Sequence, residues 1–187
     1  MINEEPQTEY PLQVVLMGVS GCGKTTVAGL LSERLGWEVA EADDFHPRVN
    51  IEKMESGHPL TDEDRWPWLR RLRDWMHDHE ESTIVTCSAL KRSYRDVLRE
   101  SNPHVVFFHL DGDREVLESR LRTRSGHFFP VHLLDSQLDT LEPLELDEQG
   151  FVLDISKEPQ ELVDSIISAI VREDEGYARL TYETQGE

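Results

Sequence analysis

With 187 residues the chain has the length of one domain. Its composition, 37% apolar and 30% charged with 11 Gly and 9 Pro, excludes a collagen, a coiled coil and a low-complexity chain. Thirty-eight acids against 19 bases leave a net charge of −19, which argues against nonspecific binding to nucleic acid or an anionic membrane.

Residues 1–11 are polar, acidic and without periodicity or a signal-peptide core, so they read as a tail. Gln13–Met17 (QVVLM) reads as a buried strand, and Lys24–Leu35 as a helix with Val27, Leu30, Leu31 and Leu35 on one face. Residues 37–41 form a second, weaker strand. Thr61 and Asp64 have the spacing of a capping box, each side chain accepting an orphan N–H. The helix they open tolerates Pro67 near its start and turns Trp66, Leu69, Leu72 and Met76 inward. Residues 83–87 (TIVTC) are a third strand and residues 93–100 a short helix. Asn102-Pro103 breaks the chain before a fourth strand over 104–110 (HVVFFHL). Helices are expected over 113–122 and 131–141, and a fifth strand over 151–155. The last helix spans 159–172, with Leu162, Val163, Ile166, Ile167, Ile170 and Val171 at helical spacing for core packing. Residues 173–187 are acidic and read as a frayed tail. The chain is therefore one domain, 1–187, with a folded core over about 12–172.

Apolar strands alternating with helices imply an α/β protein with a parallel sheet covered on both faces. Right-handed crossovers in such a sheet place ligands at the carboxyl ends of the strands. No apolar run approaches the ~18 residues of a membrane span. Cys22 and Cys87 lack CxxC or metal-ligand spacing, which argues against a disulfide framework or a zinc site. A cytoplasmic location is the expectation.

The sharpest chemical signal is Gly18-Val19-Ser20-Gly21-Cys22-Gly23-Lys24-Thr25, a G-x-x-x-x-G-K-T loop between a predicted strand and a predicted helix. Glycines let the backbone curl so that successive N–H groups face phosphate oxygens, and the helix N-terminus adds its dipole. Gly18, Ser20, Gly21, Cys22, Gly23, Lys24, Thr25 and Thr26 are thus assigned to the nucleotide, with Lys24 on the β- and γ-phosphates and Thr25 on Mg²⁺. Cys22 also reads simply as a small residue that fits the turn.

After the second strand comes Glu41-Ala42-Asp43-Asp44-Phe45-His46-Pro47. A hydroxyl attacking a phosphoryl group needs a base or an orienting carboxylate, and Asp43 is the candidate. Asp43 is also a candidate metal ligand, and Glu41 or Asp44 could hold a Mg²⁺-bound water. A solvated acidic loop is the plain alternative. Arg120, Arg122 and Arg124 precede Gly126-His127-Phe128-Phe129-Pro130, the pattern of a lid that closes over a triphosphate, with helix C-terminal cations answering the macrodipole as the alternative. Ser88-Ala89-Leu90-Lys91-Arg92 follows the third strand at the same edge. Lys91, Arg92, Arg95 and Arg65 are candidates for an anionic substrate, each with surface salt-bridging as its alternative. Most cations fall within residues 48–124, where 14 bases meet 15 acids, whereas residues 125–187 carry 3 bases against 15 acids.

These blocks resemble the small P-loop gluconokinases, relatives of shikimate kinase. The resemblance rests on the loop from Met17 to Thr26, on Asp43 with Phe45-His46-Pro47, and on Asn50-Ile51-Glu52-Lys53-Met54. It continues through Gly57-His58-Pro59-Leu60-Thr61-Asp62, Asp64-Arg65, Pro67-Trp68-Leu69 and Cys87-Ser88-Ala89-Leu90-Lys91. Tyr94-Arg95-Asp96, Arg120, Arg124-Ser125-Gly126-His127-Phe128, Ser136-Gln137 and Thr140-Leu141-Glu142 complete it. It implies a three-layer P-loop kinase fold with a five-stranded parallel sheet and a lid, like that of nucleoside monophosphate kinases and shikimate kinase. It implies ATP and Mg²⁺ as cofactors, D-gluconate as the acceptor phosphorylated to 6-phosphogluconate, and a homodimer. By position, Lys24, Asp43 and Arg124 become catalytic. His46, Asn50, Arg65, Ser88, Lys91 and His127 join Asp43 in the substrate pocket, and Arg120 and Arg124 contact nucleotide. Glu41 stands where relatives often have Asp. Two rival readings remain: a P-loop kinase of shikimate, another sugar acid or a nucleotide, and an ATP-binding regulator with no acceptor.

Overall fold

The computed structural model describes residues 11–123 and 131–184, with side chains described to residue 172. Strand β1, Gln13–Met17, is buried at all five positions and forms the middle of the sheet. Around it lie β2 (Glu38–Glu41), β3 (Thr83–Thr86), β4 (Val105–Asp111) and β5 (Gly150–Asp154), in the order β2-β3-β1-β4-β5. Every pairing is parallel, with Leu16 opposite Thr86 on one side and Phe108 on the other. A parallel sheet must be covered twice, and the alternation of β1 divides the core accordingly. Val14 and Leu16 pack with Ile84, Val106 and Phe108 against helices α1 (Lys24–Leu35) and α7 (Pro159–Thr184). Val15 and Met17 pack with Val85 and Phe107 against α3 (Asp62–Asp78) and α4 (Arg92–Arg99). This is the expected three-layer P-loop kinase fold.

Helix α3 opens on the predicted capping box: Thr61 Oγ1 accepts from the Asp64 amide, and the Asp64 carboxylate accepts from the Thr61 amide at 2.8 Å. Its inward stripe is Trp68, Leu69, Leu72 and Met76. Trp66, expected inward, is only half-buried and meets the edge of the Tyr94 ring, because Trp68 stands one helical turn before Leu72 and takes the core position.

Two elements lie beyond the sequence reading: a short 3₁₀ turn at Ala42–Phe45 and helix α2, Arg48–Glu55. Helix α5 is Arg114–Thr123 and α6 is Val131–Thr140, close to expectation. Helix α7 was expected to end near Arg172 but continues to Thr184. No helix among the described residues is long and apolar enough to cross a membrane.

Candidate active site

The loop between β1 and α1 is shaped by residues that only glycine fits. Gly21 has φ +86°, and a Cβ there would stand 2.8 Å from Leu121 Cγ of α5. Gly18, at φ +140°, would drive a Cβ to 2.8 Å from the Leu110 carbonyl oxygen. The curled backbone brings Lys24 over its own loop, where Nζ donates to the carbonyls of Gly18 at 2.9 Å and Val19 at 3.2 Å. From α6, Gln137 grips the loop twice. Its side-chain oxygen accepts from the Ser20 amide at 2.7 Å, and its amide nitrogen donates to Ser20 Oγ at 3.0 Å. Arg120, from α5, donates to the Ile155 carbonyl at 2.7 Å and to the Cys22 carbonyl at 3.4 Å. Cys22 is buried among apolar side chains, which favours the packing role for it.

Opposite the loop stand the ends of β2 and β3. Glu41 accepts from the hydroxyls of Thr86 and, at 3.4 Å, Thr25. Asp43, on the 3₁₀ turn, is 94% exposed at its side chain and faces the same space. His46 stacks on Trp68 with ring centroids 4.2 Å apart. Burial pushes the His46 pKa down, opposed by the Asp43 carboxylate and assisted by Arg65. Arg65 donates to the Tyr94 hydroxyl at 3.2 Å. Tyr94 in turn donates to Asp62, and burial together with that bond raises its pKa to about 12. The hydrogen bonds from Tyr94 and Lys91 hold the Asp62 carboxyl below its usual range. Burial lifts the Cys87 thiol to about 12, so it is inert as a nucleophile.

These groups line one cleft of ≈ 810 Å³. It gathers Ser20 to Thr26 of the loop, Glu41, Asp43, His46, Arg65, Ser88 and Arg120 from the sequence assignments, and adds Trp68, Tyr94, Gln137 and Lys157. Among the described residues its charged lining comprises four cations, Lys24, Arg65, Arg120 and Lys157, against two acids, Glu41 and Asp43. An anionic ligand therefore meets a locally favourable field in an acidic protein. Gly18, Asn50 and Lys91 stand behind the lining. Asn50 is buried, and Lys91 sits on Asp62 at 3.2 Å. Arg124 and His127 lie outside the described residues.

Two of the candidate cations are engaged within the protein instead. Arg95, offered for substrate binding, is fully buried. It pairs with Glu148 through Nε at 2.7 Å and Nη2 at 2.9 Å, and its remaining N–H groups reach the carbonyls of Ala89 and Glu142. It holds the wall of the cleft and cannot reach a ligand. Arg92 likewise is engaged with Glu145 and Asp147 on the surface. Gln137, Trp68 and Tyr94 lie in blocks that carry the resemblance, which gives them no role. Thr86 and Lys157 carry no motif signal of their own. Among the described residues no cluster of three or more His, Cys, Asp or Glu side chains could cage a metal ion.

The arrangement has two ends. One presents the backbone N–H groups of the loop and Lys24; the other presents the exposed Asp43 carboxylate and Arg65.

An AAA domain family model matches residues 14–144 of the chain. A curated gluconokinase from Gluconobacter oxydans (strain 621H) is 46% identical over 167 residues, covering 88% of this chain and 94% of that protein. The crystal structure of a gluconokinase from Sinorhizobium meliloti 1021 is 41% identical, with a TM-score of 0.84 over 92% of this chain and 99% of that one. An unliganded sugar kinase from Janibacter sp. HTCC2649 is 55% identical, with a TM-score of 0.80 over 86% of this chain and 94% of that one.

Proposed function

The chain belongs to the gluconokinase family, and we propose that its cleft transfers the γ-phosphoryl group of ATP to the terminal hydroxyl of D-gluconate, giving 6-phosphogluconate and ADP. The observation that carries the reading is the convergence, in one cleft, of the phosphate loop, Asp43 and Arg65.

Each residue's part follows from its chemistry. The loop from Gly18 to Thr26 holds the triphosphate through backbone N–H groups, and Lys24 neutralises charge on the β- and γ-phosphates. Asp43 orients the gluconate hydroxyl and receives its proton as oxygen bonds to the γ-phosphorus and the bond to the bridging oxygen of ADP breaks. Arg65 pairs with the gluconate carboxylate. His46, Ser88, Asn50 and Lys91 are assigned by resemblance to this substrate side, with His127 and Arg124 on the lid and Arg120 on the nucleotide. Catalysis is mainly positioning and charge neutralisation, with no covalent enzyme intermediate.

The oxygen groups at this edge fit Mg²⁺, a hard cation that keeps most of its waters and binds through few protein ligands. Thr25 Oγ1 lies 3.4 Å from Glu41 Oε2, and Asp43 lines the same cleft. Thr25 would hold the ion directly and Asp43 only through one of its waters, with Glu41 behind. When bound, it supplies neutralisation of charge on the transferring phosphates.

Two buried free cysteines suit a cytoplasmic location. Assembly as a homodimer rests on the family resemblance, and light scattering on the purified protein measures it.

The test is ADP release with MgATP and a panel of acceptors: D-gluconate, shikimate, other sugar acids and nucleoside monophosphates. Turnover with gluconate above all others is expected. Turnover with a different acceptor alone would retain the kinase chemistry and remove the substrate assignment. ATP binding with no acceptor would favour the regulator.

A further inference from the structure

We propose that Asn50 and His46 act as a positioning pair for Asp43: Asn50 fixes the His46 imidazole in the neutral form protonated on Nε2, and this N–H is turned toward the Asp43 carboxylate. The proposal rests on the reading of Asp43 as the carboxylate that receives the hydroxyl proton.

Asn50, in the first turn of α2, is 2% exposed. Its Nδ2 lies 2.9 Å from the Asp64 backbone oxygen and 3.3 Å from His46 Nδ1. A carbonyl oxygen can only accept, so the Asn50 atom that faces Asp64 must be the nitrogen. That nitrogen carries two hydrogens. One goes to Asp64, and the other is aimed at His46 Nδ1, which must therefore offer a lone pair. A neutral imidazole with a lone pair on Nδ1 bears its proton on Nε2.

His46 Nε2 stands 3.9 Å from Asp43 Oδ1. The ring is held in that direction: its side chain is 6% exposed, and it lies nearly parallel to the Trp68 indole, at 16°. Trp68 is itself anchored, since its Nε1–H donates to the carbonyl of Ala42 at 2.7 Å, one residue before Asp43. The carboxylate and the imidazole thus hang from the same tryptophan. Asp43, with its side chain 94% exposed, has freedom to rotate. A rotation that brought one of its oxygens from 3.9 Å onto the Nε2–H would leave the other oxygen for the acceptor hydroxyl. Both hydrogens of the Asn50 amide are engaged within the protein, and the His46 ring lies between Asn50, Trp68 and Asp43, which moves both residues from the substrate assignment to this one. The pair raises turnover by restricting Asp43 rather than by touching the reacting atoms, and no proton crosses the imidazole.

Two measurements on the full-length protein decide it. Long-range ¹H–¹⁵N NMR of the wild type at neutral pH should place His46 Nδ1 in the unprotonated range and Nε2 in the protonated range. Protonation on Nδ1 alone overturns the proposal whatever the activity. Replacing His46→Phe keeps the stack on Trp68 and removes the N–H. It should lower kcat about tenfold with the KM for gluconate within about twofold, whereas His46→Gln, which restores an N–H donor, should recover most of the loss. A change in KM alone would make His46 a substrate contact and overturn the proposal. Should His46→Phe keep full turnover while Asp43→Asn does not, the positioning role fails and the base survives. Full turnover in both removes the base reading itself. Should His46→Phe not fold, the wild-type spectrum still decides.

Discussion

Two residues in the cleft carry opposite demands on their side chains. In the proposed mechanism Asp43 presents a charge, and Gly21, at φ +86°, leaves no room for a side chain. Asp43→Asn keeps the size and removes both the charge and the basicity. It should fold with an unchanged melting temperature, bind ATP normally and lose at least a hundredfold in kcat, read from single-turnover phosphorylation of gluconate. Turnover within threefold of wild type would remove Asp43 from proton transfer. Gly21→Ala tests the loop instead. At φ +86° an alanine carries about 1–2 kcal/mol of backbone strain, and its methyl would stand 2.8 Å from Leu121 Cγ and 3.2 Å from the Leu117 carbonyl oxygen. The loop must open to relieve this, so ATP affinity by calorimetry should fall about tenfold. An unchanged affinity would mean that the loop tolerates a Cβ and that its amides are not preset by this glycine.

At the scale of elements, the clamp formed by Arg95 and Glu148 ties α4 to two connections that contain no regular structure. Arg95 donates to Ala89 at 3.0 Å, in the loop after β3, and to Glu142 at 3.1 Å, in the stretch between α6 and β5. Ala89 has φ 45°, a left-handed conformation that a non-glycine residue holds only when its surroundings enforce it. Its neighbour Ser88 lines the cleft. Arg95→Leu removes the enforcing contacts and leaves Glu148 buried beside Arg99 alone. It should cost about 3–5 kcal/mol, a drop of about 10 °C or more in thermal melting. A drop under 3 °C would mean that the loop holds its shape unaided. The same helix shows where sequence reading stops. The phosphate loop is legible because its chemistry lies in eight consecutive residues whose geometry is local. Lys91, Arg92 and Arg95 look alike as a sequence, yet one sits on Asp62, one on surface acids and one in the core. The available signal was spacing: Tyr94, Arg95 and Leu98 share the buried stripe of α4, so Arg95 falls on the inward face. Helix α2 left no such trace, because of its eight residues only Asn50 is buried. The strands and their parallel order were legible because doubly covered strands must be apolar throughout. The pairing of Asn50 with His46 was not, since it depends on a turn of α3 that is distant in sequence.

For the molecule as a whole, the net charge of −19 and the pI of ≈ 4.7 would lead self-repulsion to fade on acidification, with stability rising toward the isoelectric point. The individual carboxylates point the other way. Burial alone would raise the Glu148 pKa from 4.5, but the bonds from Arg95, the Glu145 amide and Arg99 hold it near about 2. Asp64, bonded by Lys53 and the Thr61 amide, is also held at about 2. Asp62, Asp135, Asp147 and Asp154 are lowered as well, by Tyr94, Arg114, Arg92 and the Ser156 amide respectively. A carboxyl whose folded pKa lies below its unfolded value binds more protons when unfolded. Its stabilisation is complete above the unfolded pKa, near 4.5 for Glu148 and 3.8 for the aspartates, and is lost as pH falls through the folded value. The melting temperature, measured from pH 2 to 8 at constant ionic strength, should therefore fall steeply between about pH 4.5 and 2 rather than peak at the isoelectric point. Repeating the series in about 0.5 M NaCl separates the contributions. Screening weakens the exposed pairs Arg114–Asp135 and Arg92–Asp147, but reaches little of Glu148, whose side chain is fully buried. The steep acid limb should persist in high salt. If salt abolished it, acid unfolding would belong to surface charge, and the buried Arg95–Glu148 clamp would have no part in it.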